Sequence, residues 1–136
     1  MDFFLDTVLL IDDSEIDNII NRKFLEQDKF AKNIISMQSS EKALEYLSDE
    51  FKFYKKVPDI IFLDLWMPLM NGFTFLKSFE TFPEPLKCKT KIVMLTSSLY
   101  EEDLNQAKEN KLIWILISKP LSFEALADLK KKYLMS

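Results

Sequence analysis

The sequence predicts an α/β fold: a five-stranded parallel sheet, doubly wound, with helices on both faces. Three observations carry that expectation. Short apolar runs alternate with stretches of helical periodicity five times along the 136 residues. The runs are nearly continuous in apolar residues, as strands buried on both faces are. Serines, prolines and an Asn-Gly pair punctuate the boundaries, where caps and breakers belong. Regular alternation of strand and helix implies parallel pairing with the helices as crossovers.

The elements follow in order. Thr7 to Ile11 (TVLLI) forms the first strand and ends at Asp12-Asp13. Ser14 caps a helix running to about Asp28, with Ile16, Ile19, Ile20 and Phe24 at helical spacing. Ile34 to Met37 is a second strand. Ser39 or Ser40 caps a second helix carrying Ala43, Leu44 and Leu47, with Phe51 to Lys56 as its tail. Pro58 ends it, and Asp59 to Leu65 (DIIFLDL) forms the third strand. A loop from Trp66 to Gly72 leads to a helix over about Phe73 to Phe82. Pro83 and Pro85 break that helix and begin a connector. Lys91 to Thr96 (KIVMLT) is the fourth strand. Ser97 or Ser98 opens a helix with Leu104 and Ala107 inward. Ile113 to Ser118 is the fifth strand, and Ser122 caps a last helix with Leu126, Leu129 and Tyr133 inward. Five such units in this length fit the flavodoxin-like order 2-1-3-4-5, whose ligand site lies at the carboxyl ends of the strands, between strands 1 and 3.

Composition narrows the function. A length of 136 residues suits one domain, 1–136, and the apolar share of 48% supplies a core. The apolar runs are too short to span a membrane, and the acidic start, Met1 to Asp6, lacks the basic region of a secretory signal. Cys88 is the only cysteine, which fits a reducing cytoplasm. With a net charge of -4, and Lys130-Lys131-Lys132 readily placed at a helix C-terminus, no nucleic-acid partner is expected. The chain has no His, so any His chemistry belongs to a partner.

In that fold the polar residues at strand ends converge. Asp12-Asp13 follow strand 1, Asp64 closes strand 3, Thr96 ends strand 4, and Ser118-Lys119-Pro120 end strand 5. Carboxylates about 4 Å apart repel by roughly 4 kcal/mol per pair at an effective dielectric near 20. Either a pKa rises or a cation enters. Lys119 supplies one charge, and oxygen-only ligands favour Mg²⁺ for the rest. A carboxylate beside Mg²⁺, with an ammonium and a hydroxyl at hand, suits in-line phosphoryl transfer and an aspartyl phosphate.

These residues, with Asp64-Leu65-Trp66-Met67-Pro68 followed by Asn71-Gly72, resemble the response-regulator receiver family. The resemblance is to a stand-alone, chemotaxis-regulator-like member and covers about Thr7 to Leu134. It implies that Asp64 is the phosphoacceptor. It also implies that Asp13, Asp64 and the backbone carbonyl of Trp66 bind Mg²⁺, with Asp12 acting mainly through a metal-bound water. Lys119 would hold one phosphoryl oxygen and Thr96 another, and the Lys119-Pro120 peptide would be cis. The implied donor is a sensor histidine kinase or a histidine phosphotransfer protein. The implied output is an altered surface for a downstream protein or a phosphorylation-dependent homodimer. Catalysis would be limited to self-phosphorylation and autodephosphorylation. The resemblance also implies that the residues two past the acceptor and two past the Thr, here Trp66 and Ser98, would border the path of the hydrolytic water. Neither offers an amide or carboxylate to orient it, so a long-lived phosphoryl group is expected.

Each residue also has a structural reading. Asp12-Asp13 suit a helix cap, Thr96 a strand end, and Lys119 a solvated turn. Gly72, the only glycine, is expected to supply a positive φ. The usual aromatic switch residue three before the Lys is Leu116, with Trp114 two residues earlier. Asn110 stands near the usual glycine and is expected to take a left-handed cap. Trp66, Trp114, Tyr100 and Met94 suit either a core or a partner-facing surface. Leu116 leaves open an alternative, a receiver-like interaction module that works without phosphorylation. An Asp-nucleophile hydrolase of the haloacid-dehalogenase type would need Asp-x-Asp-x-Thr, which Asp12-Asp13-Ser14-Glu15-Ile16 does not match. A flavodoxin would need a phosphate loop after strand 1, which is missing.

Overall fold

The computed structural model describes residues 2–54, 56–65, 71–97 and 101–136. The chain runs through β1 (Leu5–Ile11), α1 (Glu15–Gln27), β2 (Ala31–Met37) and α2 (Ser40–Asp49), which a π-helical turn (Glu50–Tyr54) continues. Then come β3 (Ile60–Asp64), α3 (Gly72–Glu80), a short α4 (Glu84–Lys89), β4 (Lys91–Thr96), α5 (Glu101–Glu109), β5 (Ile113–Ser118) and α6 (Phe123–Met135). The five strands are parallel in the order β2-β1-β3-β4-β5, as the alternation predicts.

The apolar strands serve two cores. Leu9, Ile11, Ile61, Leu63, Ile92 and Met94 pack with Ala43, Leu47, Phe75, Phe79 and Ala107 of α2, α3 and α5. Val8, Leu10, Ile60, Phe62, Val93 and Leu95 pack with Leu25 of α1 and Leu126 and Leu129 of α6. Both faces of the central strands are therefore dry, which is why β1, β3 and β4 read as continuous apolar runs.

Side-chain caps start the helices where expected. Ser14 Oγ accepts from the Asp17 amide at 3.1 Å, and Ser122 Oγ accepts from Ala125 at 3.0 Å. Of the two serines offered as the cap of α2, Ser39 is the cap and Ser40 is the first helical residue. The prolines that were expected to begin a connector instead start α4, with Pro85 in its first turn, where a missing N–H is harmless.

Two expectations about local conformation, at Gly72 and Asn110, are corrected, and the face that α1 buries is a polar one. The isoleucines of α1 face outward: Ile16, Ile19 and Ile20 are 69%, 47% and 40% exposed. The buried face is instead Asn18, Asn21 and Leu25. Asn18 donates to the Asp12 carbonyl at 3.0 Å, so that face is polar where it meets the strand end. Gly72 has no positive φ; it opens α3 under a close approach. A Cβ there would lie 3.0 Å from the Asp64 carbonyl oxygen and 3.2 Å from the Leu65 Cα. Asn110 takes no left-handed cap either. Its side chain accepts from the Leu112 amide at 2.9 Å, and Lys29 is the one non-glycine residue with positive φ among those described. No helix among the described residues is long and apolar enough to cross a membrane.

Candidate functional site at the carboxyl ends of the strands

β1 and β3 lie side by side at the centre of the sheet, with Ile11 paired to Leu63. The residues that follow them are therefore neighbours, at the point where the winding reverses. Asp12 and Asp13 leave β1 there, and Asp64 closes β3 beside Leu95 of β4. Thr96 closes β4 opposite Ser118, and Lys119 follows at once from the edge strand β5. The Lys119-Pro120 peptide is cis, and the Lys119 amide donates to the Thr96 carbonyl at 2.9 Å. Thr96 and Asp64 are both buried, on adjacent strands of the same rim.

Lys119 ties the rim together. Its ammonium lies 2.6 Å from Asp12 Oδ2 and 2.9 Å from Asp64 Oδ1. A third carboxylate, Asp17 Oδ2 in the first turn of α1, lies at 3.0 Å. Asp12 Oδ1 accepts from the Ser14 amide at 2.9 Å, so both oxygens of Asp12 are engaged. Asp13 is exposed, yet one oxygen each from Asp12, Asp13 and Asp64 lie within 4.8 Å of one another. A divalent cation ligated at about 2.1 Å has its ligands roughly 3 to 4 Å apart, so this hard-oxygen set fits Mg²⁺ after a small adjustment.

Electrostatics point the same way. Burial is the main force pushing Asp64 up to about 6; the Asp12 and Asp13 charges add to it, and Lys119 only partly offsets the sum. Burial also raises Asp12, against its bonds to Lys119 and Ser14. For Lys119, burial works against the ammonium, but its bonds to Asp12, Asp64 and Asp17 outweigh it and hold the pKa above the ordinary lysine value. One ammonium thus serves three carboxylates at hydrogen-bond distance, with a fourth nearby. The cluster is short of positive charge.

Of the residues expected at the site, Asp12, Asp13, Asp64, Thr96 and Lys119 stand on this rim. Trp66, Ser98 and Tyr100 lie outside the described residues. Met94 is a core residue against α3 and α5. Trp114 sits edge-on to Tyr133 at 6.1 Å with Lys91 4.9 Å over its ring, at the opposite end of the sheet. A bulge between Ile92 and Val93 puts Leu116, half-buried, opposite Met94 and two residues before Ser118. Sequence reasoning passed over Asp17, because an acid in a first helical turn reads as compensation of the helix dipole.

Comparison with known proteins agrees with this geometry. The sequence profile of the response regulator receiver domain matches residues 8–131. The probable methanogenesis regulatory protein FilR2 of Methanothrix harundinacea is 31% identical over 124 residues, covering 91% of this chain and 76% of that protein. The two-component response regulator ORR1 of Oryza sativa subsp. indica is 31% identical over 126 residues, and the match spans 91% of this chain but only 53% of ORR1. In structure the chain is similar to a two component response regulator from Cytophaga hutchinsonii, with a TM-score of 0.87, 32% identity, and 96% and 98% of the two chains covered.

Proposed function

This chain belongs to the response regulator receiver domain family, and on that premise we propose that it is a signalling switch that takes a phosphoryl group onto Asp64. The observation that supports this reading is the Asp64 carboxylate itself, buried at the end of the central strand, bonded to Lys119 and flanked by Asp12 and Asp13. A pKa of about 6 leaves it mostly ionised at neutral pH, so it attacks without first losing a proton. One Asp64 oxygen forms the new P–O bond. The P–N bond to the donor breaks, and its electron pair leaves with the donor nitrogen.

The chain has no His, so the phosphohistidine that supplies the group is a partner's, on a sensor histidine kinase or a histidine phosphotransfer protein. Lys119 exchanges its bond to the Asp64 carboxylate for one to a phosphoryl oxygen, and the Thr96 hydroxyl takes another. Asp13, Asp64 and the Trp66 carbonyl would hold Mg²⁺ directly, and Asp12, with its oxygens already engaged, through water. The cation, when bound, supplies the positive charge that the cluster lacks. Phosphorylation adds about -1.5 to -2 charge. Through Thr96 and Lys119 it biases α5, β5 and α6 toward a second arrangement, which a downstream protein or a second copy reads.

The test is labelling of the whole chain by phosphoramidate with Mg²⁺, followed by intact mass. The parent gains one phosphoryl group, and Asp64→Asn gains none. A parent that stays unlabelled, or an equally labelled Asp64→Asn, refutes the assignment.

A further inference from the structure

We infer that Asp17 is a specificity-determining residue of the phosphoacceptor site: a third counter-ion on Lys119 that slows transfer from small, freely diffusing anionic donors and is neutralised by a docked partner presenting a basic side chain. The inference rests on the reading of Asp64 as acceptor.

An ammonium has three N–H donors and no acceptor. Those of Lys119 are matched by Asp12 at 2.6 Å, Asp64 at 2.9 Å and Asp17 at 3.0 Å. Asp12 and Asp64 arrive on strand ends and are almost fully enclosed. Asp17 arrives from α1, and its side chain is 40% exposed. Nor is it needed to balance the helix, since Glu15 already places an acid in the same turn. The three contacts leave Lys119 no idle donor for an incoming phosphoryl oxygen.

The three acids differ in what happens to their charge. Asp64 loses its own when it becomes an acyl phosphate. Asp12 belongs to the group whose oxygens cluster for a cation. Asp17 stands outside that group, and its charge is left facing the phosphoryl group across Lys119. Two oxygens bonded to one nitrogen are at most about 6 Å apart, given ordinary hydrogen-bond lengths. At that distance the repulsion slows an anionic donor about threefold in a medium like bulk water, and more when the site is partly enclosed. A free donor meets this charge unaided. A protein donor reaches the exposed carboxylate from outside and pairs it with a Lys or Arg before transfer.

The experiment compares rates of phosphorylation of the full chain by phosphoramidate at saturating Mg²⁺. Parent, Asp17→Asn, Asp17→Ser and Asp17→Glu are measured at low and high KCl. Removing the charge should accelerate labelling about three- to tenfold at low salt. The gain should shrink at high salt, where exposed charges are screened. Asp17→Glu should behave like the parent. A purely structural role for Asp17 would give neither the salt dependence nor the recovery in Asp17→Glu. If the parent is labelled and Asp64→Asn is not, but both neutral variants are no faster than the parent, this inference alone is overturned. If the parent is not labelled, or Asp64→Asn is, the acceptor assignment falls and takes this inference with it.

Discussion

Replacing Asp64 by Asn should stabilise the metal-free protein, and the size of the effect follows from its pKa. An unfolded Asp titrates near 3.8, whereas burial, helped by Asp12 and Asp13, holds the folded Asp64 at about 6. Below pH 4 the group is protonated in both states and costs nothing. Between pH 4 and 6 the unfolded chain releases the proton while the folded chain retains it, so stability falls; above 6 the loss levels off. A difference of about two units corresponds to roughly 3 kcal/mol. Asn keeps the shape of the protonated carboxyl group and removes the penalty; the lost attraction to Lys119 is already contained in the shift. In EDTA, urea unfolding followed by circular dichroism should therefore show Asp64→Asn about 3 kcal/mol more stable than the parent at pH 8, and the two nearly equal at pH 4. Mg²⁺ should narrow the gap at pH 8, because a ligand at 100 times its Kd stabilises the parent by about 2.7 kcal/mol and the variant by less. Equal stability at pH 8, or the same difference at both pH values, would show that the cluster is not short of positive charge.

Three further outcomes are expected. Asp13→Ala should keep the fold and lower Mg²⁺ affinity by calorimetry on the order of tenfold or more, since it removes an exposed oxygen of the cluster; an unchanged affinity removes Asp13 from the ligand set. Gly72→Ala should cost about 1 to 3 kcal/mol in urea unfolding and slow phosphorylation, because the added Cβ meets the Asp64 carbonyl at 3.0 Å; a variant as stable as the parent would mean the contact relaxes freely. Trp66→Asn, which places an amide two residues past the acceptor, should shorten the life of the phosphorylated protein once the donor is removed; an unaltered decay rate means Trp66 does not shield the phosphoryl group.

The strands were legible wherever both faces are dry. β4 and β5 begin and end where their apolar runs do. β2 starts three residues earlier than its apolar run because Lys32 and Asn33 are exposed on an edge strand and leave no apolar signal. The isoleucines of α1 mark that helix but stand on its exposed face. Helical spacing reveals a face but not its direction, and the inward face is set by Asn18, which donates to the Asp12 carbonyl after β1, and Asn21, which accepts from the Leu121 amide after β5. Pro83 and Pro85 were read as breakers, although a proline in a first turn is compatible with the helix that forms there.

The site divides in the same way. Asp12 and Lys119 are 107 positions apart, yet strand ends in a parallel sheet must converge, so topology alone brings them together. Asp17 depends instead on where one side chain points, and any acid in a first helical turn looks the same in sequence. The aromatic question near β5 is harder still. Counting by twos back from Ser118 puts Leu116 and Trp114 on one face of a regular strand. The bulge between Ile92 and Val93 inserts one residue, so Trp114 joins Ile115 against α6 while Leu116 faces the core of α2, α3 and α5. A one-residue insertion exchanges the faces of everything before it. Trp114 is thereby committed to Tyr133 and Lys91, and Leu116 lies opposite Met94, two residues before the end of β5. A movement of Thr96 meets β5 first through the backbone, where Thr96 pairs with Ser118 and its carbonyl accepts from the Lys119 amide at 2.9 Å, and the side chain that Leu116 adds behind that contact is aliphatic, without a hydroxyl or ring.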